Sequence, residues 1–191
     1  MKPLLYDEIN QAKMNEVFRE KGWSPLYTAS PRSRIALIGQ APGRIAQETN
    51  KTWNDASGKL LRQWLGVTDE QFYNPDLFAI IPMDFYYPGK GEHGDLPPRK
   101  EFAATWHPKL LARMPDIRLT ILIGIYSQKY YLAENAKQNL TENVKNFKSY
   151  LPDYFPLVHP SPINIFWRKR NPWFETDVVP ALQAVVKTVL A

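Results

Sequence analysis

Four short apolar runs most constrain this chain: Ile35–Ile38, Leu77–Ile81, Leu119–Ile123 and Tyr154–Val158. None alternates apolar with polar residues, so each reads as a strand covered on both faces. Helical stretches separate them, which is the pattern of parallel βαβ units. The fold class that follows is α/β, a three-layer α/β/α sandwich around a central four-stranded parallel sheet. With 191 residues, no internal repeat and no linker-like tract, a single domain over 1–191 is expected.

The helical stretches begin with Glu8 to Lys21, where Ile9, Ala12, Met14, Val17 and Phe18 share a face, stopped by Gly22. Ser57 to Leu65 follows, with Asn54 or Asp55 as N-cap and Gly66 as its stop. Arg99 to Arg113 carries Pro108, which predicts a kink or a split. Ser127 to Glu134 and Thr141 to Tyr150 come next. Trp173 to Leu190 closes the chain, interrupted at Pro180. Pro25 to Arg34, Tyr86 to Pro98 and Ile165 to Trp173 read as loops, rich in Pro, Gly or basic residues.

The chain holds no cysteine, which excludes disulfides, zinc–thiolate sites and iron–sulfur clusters. No metal site is expected. The N-terminus lacks the long apolar core of a signal peptide, and no apolar run reaches membrane-spanning length. A soluble, cytoplasmic monomer without a membrane partner is the expectation. The formal charge of +5 favours a polyanionic partner.

Two of the strands run directly into distinctive loops. After Ile38 comes Gly39-Gln40-Ala41-Pro42-Gly43, where Pro fixes φ and Gly permits close approach of a ligand. After Val158 comes His159-Pro160-Ser161-Pro162-Ile163-Asn164. In a parallel sheet both loops leave the same edge, where active sites form. Taken singly, the first loop reads as a plain strand-to-helix turn, and His159 as a structural histidine. His93 and His107 lack motif context and are expected at the surface.

Together the two loops resemble the uracil-DNA glycosylase superfamily, whose first loop reads Gly-Gln-Asp-Pro, Gly-Glu-Ala-Pro or similar and whose second begins His-Pro-Ser. The resemblance covers residues 35–64 and 154–175. It implies a DNA glycosylase of base-excision repair that hydrolyses the N-glycosidic bond of a flipped deaminated base, uracil or a related one. It implies DNA as partner, double- or single-stranded, and no cofactor. Trp53 falls where relatives stack an aromatic ring on the extruded base. Asp55-Ala56-Ser57-Gly58 is similar to a Gly-Asp-x-Ser-Gly stretch that supplies an acidic residue in one branch. Position 41 is alanine, so the usual motif aspartate is missing and Asp55 is its substitute, or else only a helix N-cap.

The implied roles are specific. Gln40 positions water or the base through its backbone, Asp55 assists the water or the developing cation, and His159 stabilises the leaving base. Ala41, Pro42, Gly43, Trp53 and Asn164 form the base pocket. Ser57, Ser161 and Pro162 grip DNA, with Ile165 and Phe166 as apolar wedges and Arg168, Lys169 and Arg170 as phosphate contacts. The alternative for that last stretch is a solvated basic turn with its aromatics packed inward. Uracil-specific relatives place an asparagine after the second strand to read the base edge. Here Ile81 occupies that place, and Asp84 is the nearest polar substitute. Tyr87-Pro88-Gly89-Lys90 resembles the Pro-Pro-Gly-Asn that follows in relatives. The alternative function is a catalytically weak or inactive nucleic-acid-binding module on the same scaffold; a hydrolase of free nucleosides is a third.

Overall fold

The computed structural model describes residues 2–137 and 139–191; Met1 lies outside them. Its sheet consists of β1 (Ile35–Ile38), β2 (Phe78–Ile80), β5 (Leu119–Ile123) and β6 (Tyr154–Leu157), all parallel, in the order β2-β1-β5-β6. Two further strands, β3 (Lys90–Gly91) and β4 (Gly94–Asp95), form a small antiparallel hairpin. The order reverses between β1 and β5, so a crevice opens there at the C-terminal strand ends.

Each central strand sends alternate residues to opposite faces. Ile35 and Leu37 join Phe78, Ile80, Ile121 and Phe155 in one core layer. Against it pack α4 (Ala56–Leu65), through Leu61, Trp64 and Leu65, and α10 (Val179–Leu190), through Leu182 and Val186. Ala36, Ile38, Ala79 and Ile81 face the other layer. There α1 (Tyr6–Gln11), α2 (Glu16–Glu20) and α6 (Lys100–Leu111) contribute Ile9, Phe18, Phe102, Ala103, Trp106 and Leu110. Two helical layers therefore enclose the sheet, and the expected three-layer sandwich is the observed fold.

Several local expectations differ from the structure. The stretch from Glu8 to Lys21 is not one helix. Ala12 is extended (φ −59°, ψ 137°), and the buried Asn15 amide donates to the Ile9 carbonyl at 2.7 Å. Val17, assigned to the apolar face, is exposed. α6 runs through Pro108 without splitting. The Tyr86–Pro98 segment contains the β3–β4 hairpin. Ile165–Arg170 is helical (α9) rather than a loop. A π-helical turn, Phe174–Val178, precedes α10, and Pro180 sits in the first turn of α10, where its missing N–H costs nothing. The remaining short helices are α3 (Arg44–Thr49), α5 (Asp69–Tyr73), α7 (Ile125–Leu132) and α8 (Leu140–Lys145).

His107 is the largest departure. It is buried in α6, with Nδ1 2.6 Å from the Tyr131 hydroxyl and Nε2 2.9 Å from the Pro82 carbonyl oxygen. Satisfying both ring nitrogens is what makes a histidine tolerable in the core. Among the described residues, no helix is long and apolar enough to cross a membrane.

Candidate active site

The C-terminal strand ends border a cleft of about 780 Å³. Gly39, Gln40, Ala41, Pro42 and Gly43 leave β1 and form one wall. His159, Ser161 and Asn164 leave β6 and form another; Trp53, Asp55 and Ser57 enter from the segment between α3 and α4. A smaller cavity of about 240 Å³ adjoins it behind His159, lined by Gly124, Tyr126 and Trp167 among others.

Trp53 is the centre of this arrangement. Its indole lies over Gly39, where a Cβ would come within 3.3 Å of the ring's Cζ2. Its ring centroid is 5.5 Å from that of His159, with the planes tilted by 31°. The backbone of Trp53 is left-handed (φ 53°), an uncommon state for a bulky residue. Its carbonyl oxygen accepts a hydrogen bond from Arg62 Nη1 at 3.1 Å and, at 3.2 Å, shares the Tyr73 hydroxyl proton with the Thr52 carbonyl oxygen at 3.0 Å. Helix α4 starts directly against that carbonyl. A Cβ on Gly58 would lie 1.8 Å from the Trp53 oxygen, so only glycine fits.

Asp55 caps α4: one carboxylate oxygen, Oδ1, accepts from the Gly58 N–H at 2.8 Å. The capping alternative raised for this residue is therefore real, yet Oδ2 keeps its lone pairs for other work. Burial pushes the pKa of His159 down, and the negative charge of Asp55 pulls against that shift. The net lowering leaves the imidazole neutral at neutral pH. Asn164 Nδ2 donates to the His159 carbonyl at 2.8 Å and so fixes the loop that carries the histidine. Ser161 caps the following turn, its hydroxyl accepting from the Ile163 N–H at 3.3 Å.

The second loop then turns outward. Ile163 is 85% exposed and Phe166 67%, the two most exposed large apolar residues of the described chain, with Ile165 beside them. Ile163 lines the cleft, whereas Pro162, Ile165 and Phe166 lie off its lining. Lys169 and Arg170 are exposed. Arg168 is not: its side chain is only 17% accessible, it pairs with Glu175 at 2.9 Å, and its guanidinium lies against the Trp64 ring. Trp167 and Trp173 pack inward, the former donating from Nε1 to the Thr141 hydroxyl at 2.9 Å. Asp84 is withdrawn from the cleft altogether, since its fully buried carboxylate is bound by Arg99. Among the described residues no cluster of His, Cys, Asp and Glu could hold a metal ion.

Sequence reasoning missed part of this site. Thr52, Tyr87, Lys90, His93, Asp95 and Tyr126 also line the cleft. The glycines flanking the hairpin were its available signal; the rest depend on contacts distant in sequence.

The fold and cleft define an α/β protein with a tight Pro–Gly loop and a histidine loop facing each other across an aromatic plate. The chain belongs to the uracil DNA glycosylase superfamily, whose family model matches residues 26–183. At the level of that family, it is a DNA-binding N-glycosylase-type hydrolase of base-excision repair.

Proposed function

We propose that this protein removes a deaminated base, uracil or a related one, from DNA without a cofactor. The observation that carries the proposal is the placement of Trp53 and His159 5.5 Å apart in one cleft with both loops. A base drawn out of the helix stacks on Trp53, recovering part of the few kcal/mol lost on unstacking. Water then attacks C1′ as the C1′–N bond breaks; the bonding pair leaves with the base, and the water's surplus proton passes to solvent or to Asp55. The free Oδ2 of Asp55 faces the positive charge that builds on the sugar. Neutral His159 donates a hydrogen bond to the oxygen of the departing anion, and the Gln40 backbone orients the water or the base. Ala41, Pro42, Gly43 and Asn164 shape the pocket. Ser57, Ser161 and Pro162 contact DNA. Ile163, Ile165 and Phe166 fill the gap left by the base, and Lys169 and Arg170 meet phosphates. Arg168 supports the helix that presents them.

The binding-module reading has two observations in its favour: position 41 has no carboxylate, and Asp55 already serves as a helix cap. Base release separates the two. End-labelled oligonucleotides carrying uracil, hypoxanthine or xanthine are treated with the protein and then cleaved by alkali at abasic sites. Strand breaks are expected, reduced about 10²-fold or more in His159→Ala and in Asp55→Asn, which keeps the cap. Full activity in both variants refutes these roles; DNA binding without breaks in the parent protein selects the binding module.

A further inference from the structure

The segment joining β2 to α6 is fastened at several points. At its base, Arg99 binds Asp84 in a bidentate pair, Nε to Oδ2 at 2.7 Å and Nη2 to Oδ1 at 2.8 Å. The same guanidinium donates from Nη1 to the Met14 carbonyl at 2.7 Å and to Asn15 Oδ1 at 2.9 Å. Higher up, the Tyr87 N–H donates to Gln47 Oε1 at 2.9 Å, and Gln40 Nε2 donates to the Leu96 carbonyl at 3.2 Å. A segment tied in this way to the turn before α2, to α3 and to the first loop is a wall of the cleft.

The wall ends in the β3–β4 hairpin, where Lys90 stands directly opposite Asp95. Side chains paired across an antiparallel ladder project from the same face, with Cβ atoms about 5 Å apart. Both line the cleft that holds Trp53 and His159. The Tyr87 hydroxyl donates to Asp95 Oδ1 at 3.4 Å, which leaves Oδ2 as a free acceptor. A cationic donor and an anionic acceptor therefore stand side by side. They occupy the same cleft as the aromatic plate, in a chain whose strand β2 is followed by apolar Ile81 instead of a polar reader.

Uracil, hypoxanthine and xanthine share one edge: a carbonyl next to a ring N–H. Cytosine and adenine present an amino group next to a ring nitrogen lone pair at the same places. A lysine meeting the carbonyl and a carboxylate meeting the N–H complement the first pattern. Against the second, both contacts fail, because ammonium faces amino and carboxylate faces a lone pair.

We propose that the cross-strand pair Lys90 and Asp95 reads the carbonyl–N–H edge, which thymine and guanine also carry, making the hairpin the element that separates uracil and hypoxanthine from their amino-bearing parents cytosine and adenine. The proposal rests on the base-binding part of the function proposed above. Its test is independent of bond cleavage. Oligonucleotides carrying one 2′-fluoro-2′-deoxyuridine, which resists hydrolysis, are compared with the matching 2′-fluoro-2′-deoxycytidine strands. The wild-type protein is expected to bind the uracil strand more tightly. Asp95→Ala should shrink that ratio about 10- to 100-fold, and Lys90→Ala should shrink it in the same direction. Lys169→Ala, off the cleft lining, should weaken both strands equally and leave the ratio intact. An unchanged ratio in both hairpin variants, or no preference in the wild type, overturns the proposal. A preference that depends on the hairpin, in a protein that releases no base from ordinary substrates, upholds edge reading and refutes catalysis alone.

Discussion

Acid should weaken this protein through His107, and the size of the effect follows from its surroundings. The ring lies between Phe85 and Tyr131, with centroids 6.0 Å away on each side. Nε2 faces the Pro82 carbonyl and so carries the proton, while Nδ1 accepts from the Tyr131 hydroxyl. Burial lowers the pKa from 6.5 to about 4, against the smaller opposing pull of the Pro82 carbonyl. In the unfolded chain the imidazole titrates near 6.5; in the fold it stays neutral down to about 4. The unfolded state therefore takes up the proton first as pH falls. Stability is fully present above about pH 6.5, erodes below it, and the loss is complete below about pH 4. At about 1.4 kcal/mol per pH unit the full effect is about 3 kcal/mol, of which about 2 kcal/mol is lost between about pH 7 and about pH 5. Urea denaturation at those two pH values, on the wild type and on His107→Gln, measures it. Gln keeps a donor for the Pro82 carbonyl and does not titrate. The wild type should lose about 2 kcal/mol more than the variant, because every other ionisable group is common to both proteins and cancels. Equal losses would show that His107 is not held neutral by burial.

The contacts around Trp53 and along α9 set further outcomes. Gly58→Ala should destabilise the fold by about 1–3 kcal/mol or more in thermal melts, since the new methyl collides with the Trp53 carbonyl backbone. Gly43→Ala, whose Cβ meets nothing within 4 Å, should lower the melting temperature far less, by no more than the loss of glycine at the N-cap of α3. Along α9, Lys169→Ala and Arg170→Ala should each lower the slope of log affinity for DNA against log salt by about 1. Arg168→Ala should leave that slope intact and lower the melting temperature instead, because its guanidinium is turned against Trp64 and Glu175.

The sheet was legible because its strands are covered on both faces and so appear as unbroken apolar runs. β1 and β5 coincide with those runs residue for residue, and β2 and β6 differ only at their ends. The two loops were legible because they leave those strands at the edge where crevices form, and the cleft brings their residues together with Trp53 and Asp55. What escaped depends on contacts between residues far apart in sequence. Nothing local to His107 reveals Pro82 and Tyr131. The break after α1 is held by the Asn15 side chain reaching back to Ile9. Strands of two residues, as in the hairpin, are too short to show periodicity. In α9 the polar and apolar residues are arranged for exposure and support, so its sequence resembles a basic turn until Arg168 is seen to point inward.

The left-handed backbone of Trp53 has a thermodynamic consequence. Such a conformation costs a non-glycine residue about 1–2 kcal/mol, and it survives because Tyr73, Arg62 and the close approach of Gly58 hold the Trp53 carbonyl from three directions. That cost falls on folding. In the function proposed above, a ring set in place beforehand loses little rotamer freedom when the base arrives, so nearly all of the stacking free energy remains available to hold it. Asparagine, which tolerates left-handed backbone far better, would relax the chain at this position and remove the plate. A protein selected for stability alone would favour that exchange; retaining tryptophan here favours a preorganised surface over an unstrained one.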